Sequence, residues 1–258
     1  MTTTELNSRG RLAGKVCVIA GAAGAIGEAV AQRLADEGAV IAGIDLKDHS
    51  VGSLTLVADL TDEPQVEAAY ARIHRELGEI DVIYNNAGVA DSGDRSALET
   101  SMETWARVFA GNLTTTWLSC KHGIPYMLRK PVPGGSVINT GSFLAGMGAA
   151  SAQMAFSAAK AAVSQLSRDL GVNLARSGVR VNALSLGPIE TPQLKAMFAG
   201  LGPQQVSRRF THMPMGRFGT LDQLAAAVAF LASDDAGFVT ASTFPIDGGI
   251  PGAFTVPD

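Results

Sequence analysis

Short apolar runs alternate with longer amphipathic segments from one end of the chain to the other. Lys15 to Ala20 reads as a buried strand, Ala39 to Asp45 as a second and Leu54 to Ala58 as a third. Ile80 to Tyr84, Gly135 to Thr140, Val179 to Leu184 and Thr243 to Ile246 complete the set. Between them the apolar spacing predicts helices over Ile26 to Gly38, Asp62 to Leu77, Met102 to Leu128, about Gln153 to Ala175, and Leu221 to Ala232. Gly38 is a stop signal, and Asp62 a cap with Glu63 in the first turn. Met102 to Leu128 reads as one long helix.

Continuous apolar strands separated by helices mean a parallel sheet with both faces covered. The chain therefore reads as one α/β domain over residues 1–258, with about seven strands and no linker or repeat. The polar residues 1–12 are expected to be flexible. Thr191 to Thr220 is the least regular stretch, with Pro192, Pro203 and Pro214. Near the carboxyl end of a strand, such a segment is a candidate lid over a substrate.

Composition narrows the partners. A chain of 258 residues with 47% hydrophobic content can bury a full core. A net charge of −4 gives no reason to expect nucleic acid or an anionic membrane as partner. Met1 to Lys15 lacks the apolar core of a signal peptide, and no run approaches the ~18 apolar residues that span a bilayer. Cys17 and Cys120 lie far apart in apolar runs and read as buried small hydrophobes. A reducing, cytoplasmic location is expected. Nothing suggests a metal site.

The first chemistry lies in Ala20-Gly21-Ala22-Ala23-Gly24-Ala25-Ile26-Gly27, which follows the first strand and opens the first helix. Glycines there allow a tight turn and a close approach of backbone to a pyrophosphate, which also faces the helix N-terminus. Asp45, beside Leu46, ends the second strand. A carboxylate there can hold both ribose hydroxyls of NAD and repels the 2′-phosphate of NADP. No Arg or Lys lies in the glycine loop, although Lys47 follows closely.

The series of motifs resembles the short-chain dehydrogenase/reductase family from about Leu12 to Gly249. The glycine loop is similar to that family's Thr-Gly-x-x-x-Gly-Ile-Gly, with Ala20 for the threonine and Ala25 for the middle glycine. Asn85-Asn86-Ala87-Gly88 matches the family's tetrapeptide unchanged. Gly187-Pro188-Ile189-Glu190-Thr191 is similar to Pro-Gly-Pro-x-x-Thr, with Leu186 for the first proline. The resemblance implies a Rossmann-type doubly wound fold. It also implies that Gly21, Gly24, Ala25, Ile26, Gly27, Asp45, Leu46, Asp59, Leu60, Asn86, Ala87, Gly88, Lys160, Ile189 and Thr191 hold the cofactor, NAD. In the family the residue at Asp59 holds the adenine amino group; the alternative is a helix-capping aspartate. Ile189 would contact the carboxamide through its backbone, and Thr191 the pyrophosphate.

The catalytic half of the resemblance falls on Asn112, Ser142, Phe156 and Lys160. Phe156-Ser157-Ala158-Ala159-Lys160 resembles Tyr-x-x-x-Lys with phenylalanine in the tyrosine's place. Residues i and i+4 share a helix face. In the family the tyrosine hydroxyl passes the proton, the lysine lowers its pKa and holds the ribose, the serine orients the substrate oxygen, and the asparagine organises a water chain. Phe156 keeps the ring and loses the group that carries the proton. Tyr70, Tyr84 and Tyr126 offer no obvious replacement; the alternatives are a surface His212 swinging in from the lid, or Ser142 with a lysine-linked water at lower efficiency.

The expected function is NAD(H)-dependent interconversion of a secondary alcohol and a ketone, impaired or modified by Phe156. The alternatives are an engineered knock-out of an ordinary dehydrogenase, an imine or iminium reductase that needs no such acid, and a catalytically silent NAD-binding sensor. Leu194, Met197, Phe198, Leu201, Phe210, Met213, Met215 and Phe218 suggest an apolar or mixed substrate pocket, or simply pack the lid. The family resemblance further implies a homotetramer.

Overall fold

A computed structural model describes residues 10–148 and 153–253. Among them seven strands form one parallel sheet in the order β3-β2-β1-β4-β5-β6-β7. They are β1 Val16–Ala20, β2 Val40–Asp45, β3 Leu54–Val57, β4 Val82–Asn85, β5 Gly135–Thr140, β6 Val179–Leu186 and β7 Thr243–Ile246. Among the described residues eight α-helices connect them: α1 Ala25–Asp36, α2 Glu63–Leu77, α3 Met102–Phe109, α4 Thr115–Leu128, α5 Met154–Leu174, α6 Pro192–Ala199, α7 Pro203–Phe210 and α8 Leu221–Ala232.

The core alternates across the sheet as the pleat requires. Val16, Val18 and Ala20 of β1 meet Tyr70, Ile73, Leu118 and Met127 on the face covered by α2 and α4. Cys17 and Ile19 meet Val30, Leu34, Leu224 and Val228 on the face covered by α1 and α8. Both cysteines are free and buried.

Three expectations need correction. The helix expected over Met102 to Leu128 is interrupted by a π-helical turn at Ala110–Thr114. The stretch from Thr191 to Thr220 holds two helices, each with proline at its start. Proline suits a first turn because its missing N–H has no intrahelical partner there. At the N-terminus, Leu12 is fully buried, and its N–H bonds the Glu37 carbonyl at 3.0 Å. Residues 1–9 lie outside the described residues.

Sheet order reverses between β1 and β4, because β2 and β3 extend to one side and β5 to β7 to the other. Doubly wound folds open a ligand crevice at that point, beyond the carboxyl ends of the strands. Beneath it runs a chain of buried polar groups. Tyr70 Oη is hydrogen-bonded to Ser119 Oγ at 2.5 Å, and Ser119 in turn donates to Asn85 Oδ1. Asn85 Nδ2 donates to Asn139 Oδ1 at 2.8 Å, and Asn139 Nδ2 to Ser167 Oγ at 2.9 Å. The chain ties α2 and α4 to the ends of β4 and β5, and these to α5.

Every member of this chain depends on its neighbours, because a buried polar group without a partner is penalised in full. Asn85→Ala therefore takes the acceptor from the Ser119 hydroxyl and the donor from Asn139 Oδ1, leaving each a single bond within this chain. It is expected to lower unfolding stability by about 2–4 kcal/mol, measured by urea denaturation. Tyr70→Phe, at the end of the chain, should lose less than Asn85→Ala.

Candidate active site

The glycine loop leaves β1 by a turn that only glycine accommodates without strain. Gly21 has φ +89°, and a Cβ there would lie 2.5 Å from Ala87 N. Gly27 packs as closely, since its Cβ would meet Gly21 O at 2.3 Å. Asn86 fixes the arrangement by donating Nδ2 to Gly21 O at 2.9 Å. Gly24 is the N-cap of α1, and a Cβ on it would meet nothing within 4 Å. The helix start thus faces open space, with Ala25 and Ile26 as its first residues. Such a terminus suits a pyrophosphate.

Asp45 is half-buried at the end of β2 and turns toward this loop. One oxygen accepts the Ala23 N–H at 2.9 Å and the other the Lys47 N–H at 3.0 Å. Its remaining lone pairs can accept from hydroxyls. Leu46 is exposed beside it, as an apolar rim. Asp59 accepts from Thr61 N and Thr61 Oγ at 2.8 and 2.7 Å, which shapes the turn before α2. The cap of α2 is Asp62, which takes the Gln65 N–H, as expected. Leu60 is buried. Ile189 is buried and bridges Gly219, and Thr191 caps α6 by accepting the Leu194 N–H at 3.1 Å.

Across the crevice lies a buried lysine. Lys160 is 3% exposed, and its Nζ donates to the Thr140 carbonyl at 2.8 Å. Burial pushes its pKa down to about 8, because the charged form loses water. Asn112 sits in the π-helical turn, wholly buried. Its Nδ2 donates to Val89 O at 2.8 Å and Val108 O at 2.9 Å, while its Oδ1 has no hydrogen-bond partner. A Cβ built on Gly88 would stand 2.9 Å from Asn112 Oδ1 and 3.5 Å from Lys160 Nζ. Gly88, Asn112 and Lys160 therefore border one small space, with an acceptor and a donor still to be satisfied. A hydroxylated group or water fits it.

Phe156 lies one turn before Lys160, which stands 5.7 Å from the centre of its ring. The ring borders a cleft of about 260 Å³, shared with Ala90, Asp91, Ser92, Asp94 and Gln153. Ser142 follows β5, two residues beyond Thr140, and its Oγ accepts the Leu144 N–H at 3.2 Å. None of the chain's three tyrosines adjoins Phe156. Tyr70 and Tyr84 are fully buried and hydrogen-bonded, and burial pushes both pKa values upward. Tyr126 is packed against His74 at the far end of α4. In the expected lid, Phe198, Phe210 and Phe218 pack on one another, with centroids 4.8–6.1 Å apart.

Asp94 was not expected from the sequence. It is buried and binds the first turn of α5. Among the described residues no group of histidine, cysteine, aspartate and glutamate could hold a metal. No described helix is long and apolar enough to cross a membrane.

Comparison with known proteins gives consistent matches. The family model described as enoyl-(acyl carrier protein) reductase matches residues 21–251. The chain is 36% identical over 247 residues to cis-4-hydroxycyclohexanecarboxylate dehydrogenase of Sinomonas cyclohexanicum, covering 91% of this chain and 96% of the relative. It is 37% identical over 195 residues to inactive 2-(S)-hydroxypropyl-CoM dehydrogenase 2 of Xanthobacter autotrophicus, covering 75% and 83%. A crystal structure described as a short-chain dehydrogenase/reductase from Burkholderia xenovorans superposes with TM-score 0.87 at 32% identity, covering 95% and 99%.

The buried ammonium gives a signed pH dependence. Below pH 8 both folded and unfolded states hold the Lys160 proton, and burial of the charge opposes folding. Above that value the folded state releases the proton, while the unfolded state keeps it until about pH 10.5. Folding is therefore favoured as pH rises. Between pH 7 and pH 10 the chain should gain about 1–3 kcal/mol of stability relative to Lys160→Met. Urea denaturation of both proteins at both pH values checks this; an unchanged difference would mean that the folded amine stays charged.

Proposed function

The chain belongs to the short-chain dehydrogenase/reductase family, and we propose that it is an NAD(H)-dependent oxidoreductase for a secondary alcohol and its ketone, with Phe156 in the place of the proton-transferring tyrosine. One observation carries the reading. A lysine is buried against the Thr140 carbonyl beside an unpartnered Asn112 oxygen, at the mouth of the crevice. One carbonyl is little compensation for a buried ammonium, and ribose hydroxyls would satisfy both groups.

In this reading Gly21, Gly24 and Gly27 admit the pyrophosphate to the start of α1. Asp45 accepts from the adenosine ribose hydroxyls, and Lys160 holds the nicotinamide ribose. A nicotinamide dinucleotide supplies hydride exchange with the substrate carbon. Ser142 would hydrogen-bond the substrate oxygen. Phe156 supplies an apolar wall but no proton, so oxygen charge in the transition state is poorly stabilised. Loss of a positioned acid or base reduces a rate by about 10²–10⁴-fold.

A catalytically silent dinucleotide-binding protein is the second reading. The missing hydroxyl favours it, as does similarity to a relative whose own name marks it inactive. The assembly is proposed to be a tetramer on family resemblance, and its location cytoplasmic on the two separated, free cysteines.

Asp45 gives the first test. Its carboxylate would repel a 2′-phosphate, so NAD should bind at least about tenfold tighter than NADP. Calorimetric titration with both measures this; equal or tighter NADP binding removes Asp45 from the proposed role.

The second test is Phe156→Tyr. It adds one oxygen to a ring already placed one turn from Lys160. Alcohol oxidation should rise by about 10²-fold or more, and more at alkaline pH as the phenol ionises. Adding Lys160→Met should remove most of that gain. Tight NAD binding with no turnover in either protein would favour the silent reading. An unchanged rate on a substrate that the chain already uses would point to a different chemistry, imine reduction first.

A further inference from the structure

Helix α5 begins without a cap of its own. Gln153, the residue before it, makes no side-chain hydrogen bond to the first turn. N–H groups there need acceptors when buried. They come from a distant loop. Asp94 accepts the Ala155 N–H on Oδ1 and the Phe156 N–H on Oδ2, both at 2.9 Å. Asp94 is 3% exposed. A buried carboxylate needs compensation, which two charge-assisted bonds and the positive end of the helix dipole provide.

Asp94 is itself held. Its N–H bonds Asp91 O at 3.0 Å, and Asp91 Oδ1 accepts the Gly93 N–H at 2.8 Å. Arg107 of α3 grips the other Asp91 oxygen at 2.6 and 2.7 Å. The loop that starts at Gly88 is thus fastened to α3 on one side and to α5 on the other. The cleft beside Phe156 lies between its residues and the helix.

We propose that Asp94 is a positioning residue: it fixes the side chain at position 156 against Lys160 and the cleft by clamping the first turn of α5 to the loop after β4. This rests on the reading that position 156 is the reacting end of the site. Two anchors then set the distance between ring and amine. Thr140 O holds Lys160 at one end of the turn, and Asp94 holds the backbone of residue 156 at the other. Without the second anchor the first turn can fray and the ring can leave its place, while the cofactor contacts stay.

The test uses Phe156→Tyr as background, because the new phenol reports its own surroundings. Difference absorbance against the parent chain isolates it from Tyr70, Tyr84 and Tyr126. The charged groups around it are Lys160 on its own helix, and Asp94 and Asp91 on the loop, with Asp91 paired to Arg107 of α3. Asp94→Asn removes a negative charge and one acceptor at nearly constant size. A mere charge effect would lower the phenol pKa. Lost placement beside Lys160 raises it toward the ordinary value near 10.

We expect the phenolate midpoint to rise by roughly half a unit or more, and kcat on an alcohol to fall at least about tenfold. The amides of residues 155 and 156 should exchange about tenfold faster. The dissociation constant for NADH should stay within about twofold. If Asp94→Asn does not fold, Asp91→Asn loosens the same loop from its outer side and should move each readout the same way by less. A midpoint that falls or stays, with unchanged amide exchange, overturns the proposal. If Phe156→Tyr binds NADH but turns over no alcohol, the oxidoreductase reading fails, and the titration and exchange alone decide for or against the clamp.

Discussion

The site depends on one close approach, where the chain leaving β1 meets the chain leaving β4. A Cβ on Gly21 would stand 2.5 Å from Ala87 N, so the two backbones touch with no side chain between them. Asn86 then donates to Gly21 O across the contact, while the Asn86 and Ala87 N–H groups both bond Ala20 O. Because the two segments are this near, the start of α1 and the loop from Gly88 open onto the same crevice. Any residue larger than glycine at position 21 would push the walls apart. It would also have to adopt a left-handed backbone that side chains disfavour. The geometry of both halves follows from this contact.

Lys160 shows the opposite economy. The close approach stabilises fold and site together, whereas the buried ammonium works against the fold. One hydrogen bond to Thr140 O and an aromatic ring at 5.7 Å are modest compensation for a group taken out of water. The lowered pKa expresses the same imbalance. A charge held against its own solvation is a common mark of a functional position. Asn112 Oδ1, buried and unpartnered beside it, repeats the pattern with an acceptor.

Much of this was legible in the sequence, for a physical reason. A parallel sheet buried on both faces writes its central strands as apolar runs, while β3 and β7 at its edges, each half exposed, show as short stretches in the same alternation with helices. The glycine loop and the Asn85-to-Gly88 turn are also local, since each is dictated by backbone within a few residues. What stayed hidden was non-local or masked by a stronger signal. Leu12 stands in a largely polar stretch, and only the Glu37 carbonyl and the core opposite explain its burial. The π-helical turn at Asn112 adds a residue to a helix whose apolar spacing barely registers it. Pro192 and Pro203 suggested irregular chain, although each follows a helix cap, Thr191 and Gly202, and fits a first turn. Asp94 had no local mark, because its partners lie on a helix about sixty residues later.

The same geometry explains how phenylalanine is tolerated at position 156. Its place is set through the backbone, by its N–H on Asp94, and through Lys160 one turn on, by Thr140 O. Neither anchor involves the side chain. The ring borders a cleft shared with Asp91, Ser92, Asp94 and Gln153 and is only partly buried. The structure therefore does not depend on whether this ring carries a hydroxyl, although proton transfer in the proposed reaction depends on it entirely. Stability and the proposed chemistry part at this one atom: with phenylalanine at position 156 the scaffold has its crevice, its buried lysine and the unpartnered oxygen of Asn112.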